Sequence, residues 1–131
     1  LMKTKLTLSP TPIDEAALAK ARSTSDGMGA VVSFSGVVRG LEEEASITGI
    51  DYESFDDMAE RQFGLIFAEI EKRWPIESMR LVHRTGFVKV NEPSLWVEVV
   101  AAHRSEAFAA CQFLIDHMKQ QVPIWKKPSV T

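Results

Sequence analysis

The chain has 131 residues, of which 45% are hydrophobic and 25% charged, as in one ordinary globular domain. A net charge of −3 argues against a general nucleic-acid-binding surface, and no apolar run approaches the ~20 residues of a membrane span. The single cysteine excludes an internal disulfide and predicts a cytoplasmic protein.

The first part of the chain predicts short elements around one clear strand. Residues 3–8 alternate polar and apolar side chains, as in an edge strand. Residues 14–22 predict a helix whose inward side chains are Ala17, Leu18 and Ala21. Residues 30–38 are rich in β-branched residues and predict a strand that ends at Arg39. The acidic run 42–44 then predicts an exposed, mobile loop.

The middle of the chain predicts a strand over residues 47–53 and a helix capped by Ser54 or Asp56. The helix extends to about Trp74, and its predicted core residues are Ala59, Phe63, Ile66, Ile70 and Trp74. Strands are predicted at residues 79–84, 86–90 and 95–102. The elements do not alternate regularly, so the predicted class is α+β. We expect one domain over residues 1–131, with 1–4 and 128–131 flexible.

The last helix carries positive residues at both of its ends. Ser105 is its predicted N-cap, and Pro123 ends it. Its apolar face is predicted to comprise Phe108, Cys111, Leu114, Ile115 and Met118. Lys119 falls in the last turn, and Lys126 follows on an extended segment beside Trp125.

Other basic residues outside the last turn allow functional or structural interpretations. Arg39, at a strand end, either projects into a site or is a solvated arginine. His103 and Arg104 either bind a phosphate or carboxylate or have only a structural role as caps at the start of the helix. Arg84, with its neighbour His83, is interpreted as structural because the pair lies inside a strand.

Lys119 and Lys126 are the sharpest candidates for catalysis. A lysine in a last helical turn normally complements the helix dipole. Two lysines that converge on one pocket would instead make a neutral amine accessible as a general base or nucleophile. Cys111 is interpreted as a core residue, since it lies on the apolar face without a base nearby. The three histidines show no metal-ligand spacing, and neither a metal nor a cofactor is predicted.

Three separate segments resemble one family. They are GAVVSFSGVVR at 29–39, AHRS at 102–105 and KQQVPIWKK at 119–127. In order and spacing they are similar to the MoaE family, the large, catalytic subunits of molybdopterin synthase. The likeness extends from about residue 5 to residue 127. It implies a single-domain α/β hammerhead-type fold with a mostly antiparallel sheet and about three helices.

The resemblance also implies a function and a set of partners. Large subunits form a homodimer, and each binds one small ubiquitin-like subunit to give a heterotetramer. The small subunit's C-terminal Gly-Gly thiocarboxylate enters a pocket and donates sulfur to cyclic pyranopterin monophosphate (precursor Z), giving the dithiolene of molybdopterin. The residues that the resemblance makes catalytic are Lys119 and Lys126. The substrate-binding residues are then Val37, Val38, Arg39, His103, Arg104, Lys119, Lys126 and Lys127.

Two features depart from the family pattern. Pro128 stands where the family usually has a glutamate, so any role of that carboxylate in positioning Lys126 must be met elsewhere or is missing. Family members also commonly continue beyond the position of Thr131, with a basic residue that reaches the neighbouring subunit. Two alternatives to the enzyme therefore remain, a non-catalytic pterin- or phosphate-binding protein and an adaptor that only docks a ubiquitin-like partner.

Overall fold

The computed structural model describes residues 1–130, which form eight strands and three helices. The strands are β1 (Lys3–Ser9), β2 (Ala30–Val37), β3 (Leu41–Glu42), β4 (Ala45–Ser54), β5 (Ile76–Arg84), β6 (Gly86–Lys89), β7 (Pro93–Ala101) and β8 (Ile124–Val130). The helices are α1 (Glu15–Lys20), α2 (Asp56–Arg73) and α3 (Arg104–Gln121). None of these helices has the length and apolar character needed to cross a membrane.

The main sheet has the order β1-β5-β7-β2, and α2 and α3 pack against it. Only the β1–β5 pairing is parallel among the strands of this sheet. Strand β7 is buried from Ser94 to Ala101, as its long apolar run predicts. The main core joins β7 to both helices, with Phe63 of α2 and Leu114 of α3 fully buried.

A buried carboxylate ties α1 to the main sheet. Glu98 of β7 is 2% exposed and accepts hydrogen bonds from Arg22 Nε at 2.6 Å and from Arg80 Nε and Nη2 at 2.8 Å each. Arg80 Nη2 also donates to the carbonyl oxygen of Leu18 at 2.7 Å. None of the residues of α1 is buried, so polar contacts such as these hold the helix against the sheet. The prediction that Ala17, Leu18 and Ala21 face the core is therefore wrong.

The second sheet consists of β3, β4 and β6 in that order, with β8 also paired to β4. Its small core comprises Val38, Ile47, Ile50 and Val88. Residues 42–44, predicted as a mobile loop, instead close a β3–β4 hairpin in which Glu42 pairs with Ala45. Glu43 and Glu44, at the centre of this turn, have φ angles of 47° and 68°. The sequence does not predict this turn, because its usual residues are asparagine and glycine and here both positions are glutamates.

The α+β class and the mostly antiparallel arrangement are confirmed, whereas several boundaries differ. Phe55, not Ser54 or Asp56, is the N-cap of α2. His103 is the N-cap of α3, two residues earlier than the predicted Ser105, and Glu106 accepts a hydrogen bond from the His103 backbone N–H at 2.9 Å. Phe108 is 61% exposed, since Ala107 and Cys111 take the inward positions. Residues 3–4 and 128–130, expected to be flexible, are paired in β1 and β8, while Thr131 lies outside the described residues.

Candidate functional site

A cavity of about 450 Å³ opens where the main sheet, the end of α3 and the second sheet meet. We call it the lysine cavity. Its apolar lining comes from β2, β7, α3 and the segment that follows α3: Phe34, Gly36, Val37, Leu95, Ile115, Met118, Val122 and Ile124. Its polar lining consists of Tyr52, His83, Ser94, Lys119 and Lys126. Such a concave, mostly apolar site with a few convergent polar groups is typical of small-molecule binding.

Lys119 and Lys126 both line this cavity, although seven positions separate them in the sequence. Lys119 lies in the last turn of α3, which ends at Gln121 ahead of Pro123. The chain then turns into β8, which pairs with β4 and places Lys126 opposite Tyr52. The two ammonium groups thus approach one cavity from two elements, as the convergence hypothesis requires.

His83 adds a buried imidazole to the lining. It is 6% exposed, and its Nδ1 lies 2.7 Å from the carbonyl oxygen of Arg84. The Tyr52 ring meets it edge-on, with centroids 5.2 Å apart. Burial lowers the pKa of His83, against a smaller opposing effect of the Arg84 carbonyl. A neutral His83 must donate from Nδ1 to that carbonyl, which leaves Nε2 as an acceptor.

The sequence interpretation of His83 and Arg84 as structural captured their burial but missed the position of His83 at the cavity. Both residues are buried, at 6% and 4% exposure. His83 reaches the cavity because β5 pairs with β7 and brings it opposite Leu95. That pairing joins distant parts of the chain, and no local pattern in the sequence predicts it.

Arg39 and Glu42 lie near the rim of the cavity. Lys126 Nζ donates to Glu42 Oε1 at 2.9 Å. This hydrogen bond, together with the charges of Lys126 and Arg39, lowers the pKa of Glu42. Arg39 is exposed just beyond β2 and is close enough to Glu42 for their charges to interact. Arg39 is therefore not among the residues that line the cavity and is related to it only through its charge interaction with Glu42.

Val37, Val38 and Lys127 do not all face the same way. Val37 lines the cavity and is 49% exposed. Val38 is 2% exposed in the second core, and its backbone N–H and carbonyl are bonded to Glu92 and Asn91. Lys127 is exposed and adjacent to Lys126 in β8, so strand alternation turns it to the opposite face. Within one chain, Val37 alone of these three contributes to the lining.

His103 and Arg104 lie at the other end of α3 from Lys119. The rise of an α-helix places Arg104 about 22 Å from Lys119 along the axis. The side chain of His103 is 81% exposed, and its Nδ1 lies 3.2 Å from Glu106 Oε1. A single chain therefore does not bring His103 and Arg104 into the cavity that Lys119 and Lys126 line.

Cys111 lies in the core, on the buried face of α3. It is 5% exposed, and burial raises the pKa of its thiol. A buried thiol of raised pKa is a poor nucleophile, because the thiolate is the reactive form. The prediction of a core cysteine is confirmed.

Comparison with known proteins gives a consistent family. Residues 8–121 match the model of the MoaE protein family. The molybdopterin synthase catalytic subunit of Pseudomonas aeruginosa is 40% identical over 101 residues, which cover 77% of this chain and 67% of that protein.

Two solved structures share the fold. The molybdopterin synthase of Staphylococcus aureus superposes with a TM-score of 0.85 at 29% identity, over 97% of this chain and 90% of that one. A complex of subunits 1 and 2 of molybdopterin-converting factor from Helicobacter pylori superposes with a TM-score of 0.76, over 98% and 89%. At 20% identity, the second likeness concerns the fold alone.

Proposed function

The chain belongs to the MoaE protein family, and on that premise we propose that it is the catalytic subunit of a molybdopterin synthase. It catalyses the transfer of sulfur from the thiocarboxylated C-terminus of a small ubiquitin-like subunit to cyclic pyranopterin monophosphate, giving the dithiolene of molybdopterin. Its single, buried cysteine and the family relationship support action in the cytoplasm.

The observation that carries this proposal is the presence of Lys119 and Lys126 in one cavity. Both the incoming thiocarboxylate and the substrate phosphate are anions, which ammonium groups bind and hold. Sulfur addition at a pterin side-chain carbon also needs proton transfer and stabilisation of developing negative charge. Lysines supply both, and the sulfur arrives on the partner, so the buried Cys111 need not react.

The neutral imidazole of His83 is a further group with access to substrate. Its Nε2 is an acceptor once Nδ1 donates to the Arg84 carbonyl. In this position it can accept a hydrogen bond from a pterin N–H or hydroxyl group. We assign it an orienting role, beside the two lysines that move protons and hold charge.

The separation of Arg104 from Lys119 supports a site completed by a second copy of the chain. The family resemblance implies that Arg39, His103 and Arg104 bind the substrate phosphate, but in one protomer α3 keeps the last two away from the lysine cavity. In the proposed homodimer, His103 and Arg104 of one protomer approach the lysine cavity of the other. The small subunit's tail then enters each cavity from outside the dimer.

Reconstitution tests the proposed function. The chain is mixed with thiocarboxylated small subunit and precursor Z, and molybdopterin is quantified. Formation of molybdopterin supports the enzyme. Binding of precursor Z without turnover would instead identify a pterin-binding protein, and binding of the small subunit without affinity for the pterin would identify an adaptor.

A further inference from the structure

A carboxylate from outside the three family-like segments reaches the rim of the lysine cavity. Glu42 Oε1 accepts a hydrogen bond from Lys126 Nζ at 2.9 Å. The side chain of Glu42 is 19% exposed and that of Lys126 is 54% exposed. Among the described residues that line the cavity, none is acidic, so Glu42 supplies the negative charge at this rim.

The β3–β4 hairpin fixes where Glu42 stands. Leu41 pairs with Ser46 and Glu42 with Ala45, leaving Glu43 and Glu44 as a two-residue turn. Both turn residues have positive φ, as a type I′ turn requires, although glutamate adopts that conformation unfavourably. A turn of this type sets the register of its strands, and strand alternation then sets the face on which Glu42 projects.

Glu42 links two of the basic residues that the proposed function uses. The hydrogen bond from Lys126 is the main cause of its lowered pKa, and the charges of Lys126 and Arg39 act in the same direction. Glu42 is therefore ionised at neutral pH. Its side chain neutralises part of the positive charge around the cavity while leaving Lys119 to face the incoming anions.

We propose that Glu42 is a positioning residue for Lys126, which it holds at the rim of the lysine cavity in the orientation needed for proton transfer. This inference rests on the proposed function. A half-exposed lysine has a long, flexible side chain, and one charged hydrogen bond restricts the positions of its amine. The next side chain on the same face of β8, that of Pro128, offers no acceptor, so the carboxylate comes from the hairpin instead.

The first test compares Glu42→Gln with Glu43→Gln in the reconstituted enzyme. Glu42→Gln keeps the size of the side chain but removes the charge that orders Lys126, so kcat should fall by roughly tenfold or more. KM for precursor Z should not rise, because Glu42 does not attract an anion. Glu43→Gln makes the same change in net charge on the exposed turn and should leave kcat unchanged.

Glu42→Asp completes the series, since it restores the charge one methylene shorter and should recover part of kcat. A Glu42→Gln enzyme with wild-type kcat would overturn the inference. So would equal losses in Glu42→Gln and Glu43→Gln, because that result would reflect net charge and not a specific contact.

A second test measures the reactivity of the Lys126 amine and does not depend on catalytic turnover. The full chain is treated briefly with acetic anhydride, and acetylation of Lys126 is compared with that of Lys72 on α2 by peptide mass spectrometry. Glu42→Gln should raise the labelling rate of Lys126 several-fold relative to Lys72, since the charged hydrogen bond to Glu42 no longer holds the amine and restricts its access to the reagent. Glu43→Gln should not.

The two tests separate failure of the inference from failure of the proposed function. If wild-type protein forms molybdopterin but Glu42→Gln changes neither kcat nor labelling, the positioning role is wrong and the enzyme stands. If labelling responds to Glu42→Gln while wild-type protein makes no molybdopterin, the ion pair stands, the proposed function fails, and with it the catalytic purpose of Glu42.

Discussion

Glu98 and Glu42 are both carboxylates with basic partners, yet they occupy opposite kinds of environment. Glu98 is 2% exposed in the main sheet and accepts from two guanidinium groups, those of Arg22 and Arg80. Glu42 lies on a hairpin of the second sheet and has one lysine partner, which is itself 54% exposed. Both side chains have a lowered pKa, but burial opposes the lowering far more strongly at Glu98.

The difference separates a region that maintains the fold from one that orients a side chain at the lysine cavity. The Glu98 carboxylate is held away from water, and the loss of its arginine partners would leave a buried charge unpaired. The pair at Glu42 is screened by solvent, and its rupture costs little. Glu42 therefore orients Lys126 at the lysine cavity and contributes little to the stability of the fold, whereas Arg22 and Arg80 pair with Glu98 to maintain the main sheet.

Removal of Glu98 should have the largest effect on stability. Glu98→Ala leaves two guanidinium groups beside an apolar strand, and we expect a loss of about 3 kcal/mol in the free energy of unfolding. Urea denaturation, monitored by circular dichroism, measures this free energy of unfolding. Glu42→Ala is the matched control and should cost less than about 1 kcal/mol. Equal losses of unfolding free energy in Glu98→Ala and Glu42→Ala would contradict the distinction between the two regions.

Lys119→Ala tests the functional side of the comparison. Loss of a group that transfers protons should lower molybdopterin formation by about 100-fold or more. The small subunit should still bind, since one side chain inside the cavity is removed and the outer surface is kept. Lys72→Ala, on an exposed part of α2, is the control and should be fully active. Near-wild-type rates for Lys119→Ala would remove this lysine from the mechanism.

Local sequence patterns predicted the strands and helices around the lysine cavity better than they predicted the cavity itself. The apolar run of β7 and the basic residues around α3 predict a buried strand and a helix with positive ends. The distance from Arg104 to Lys119 was also implied by the predicted helix, because 15 residues at 1.5 Å each span about 22 Å. That length already argues against a site in which one chain brings Arg104 to Lys119, and the predicted set of substrate-binding residues did not take it into account.

Other features depend on contacts that no local pattern encodes. Glu42 meets Lys126 only because the hairpin and β8 fold against β4, and the Glu43-Glu44 turn lacks the residues typical of its conformation. His83 reaches the cavity through the pairing of β5 with β7. On the inward face of α3, Cys111, Leu114 and Met118 were predicted correctly, whereas Phe108 was favoured over Ala107 because alanine is a weak hydrophobic signal.

Mixed dimers test whether Arg104 of one protomer acts in the lysine cavity of the other protomer. Lys119→Ala and Arg104→Ala are each expected to be nearly inactive. In a heterodimer of the two, one cavity combines an intact Lys119 with an intact Arg104 of the other protomer. Random exchange should then restore about one quarter of wild-type molybdopterin formation. Absence of recovery, with subunit exchange verified by native mass spectrometry of tagged chains, would contradict a shared site.

His83 belongs to both regions, and its burial predicts a pH effect of smaller size. Its pKa is lowered from an ordinary value near 6.5, so the unfolded chain binds a proton that the folded chain does not. The free energy of unfolding should therefore fall as pH drops from 7 to 5. His83→Asn should flatten that dependence in urea titrations, whereas His103→Asn, at an exposed side chain, should keep it. The same slope in all three proteins would mean that His83 is not the responsible group.

Cys111→Ser should change turnover least of all. The thiol is 5% exposed on the core face of α3, and burial raises its pKa, so it neither meets substrate nor forms a thiolate readily. The hydroxyl group fits the same space, and its desolvation should lower stability by about 1 kcal/mol without affecting the lysine cavity. Molybdopterin formation per folded protein should match wild type. A folded but inactive Cys111→Ser variant would mean that sulfur passes through this chain, and the lysines could then no longer be the only reacting groups it provides.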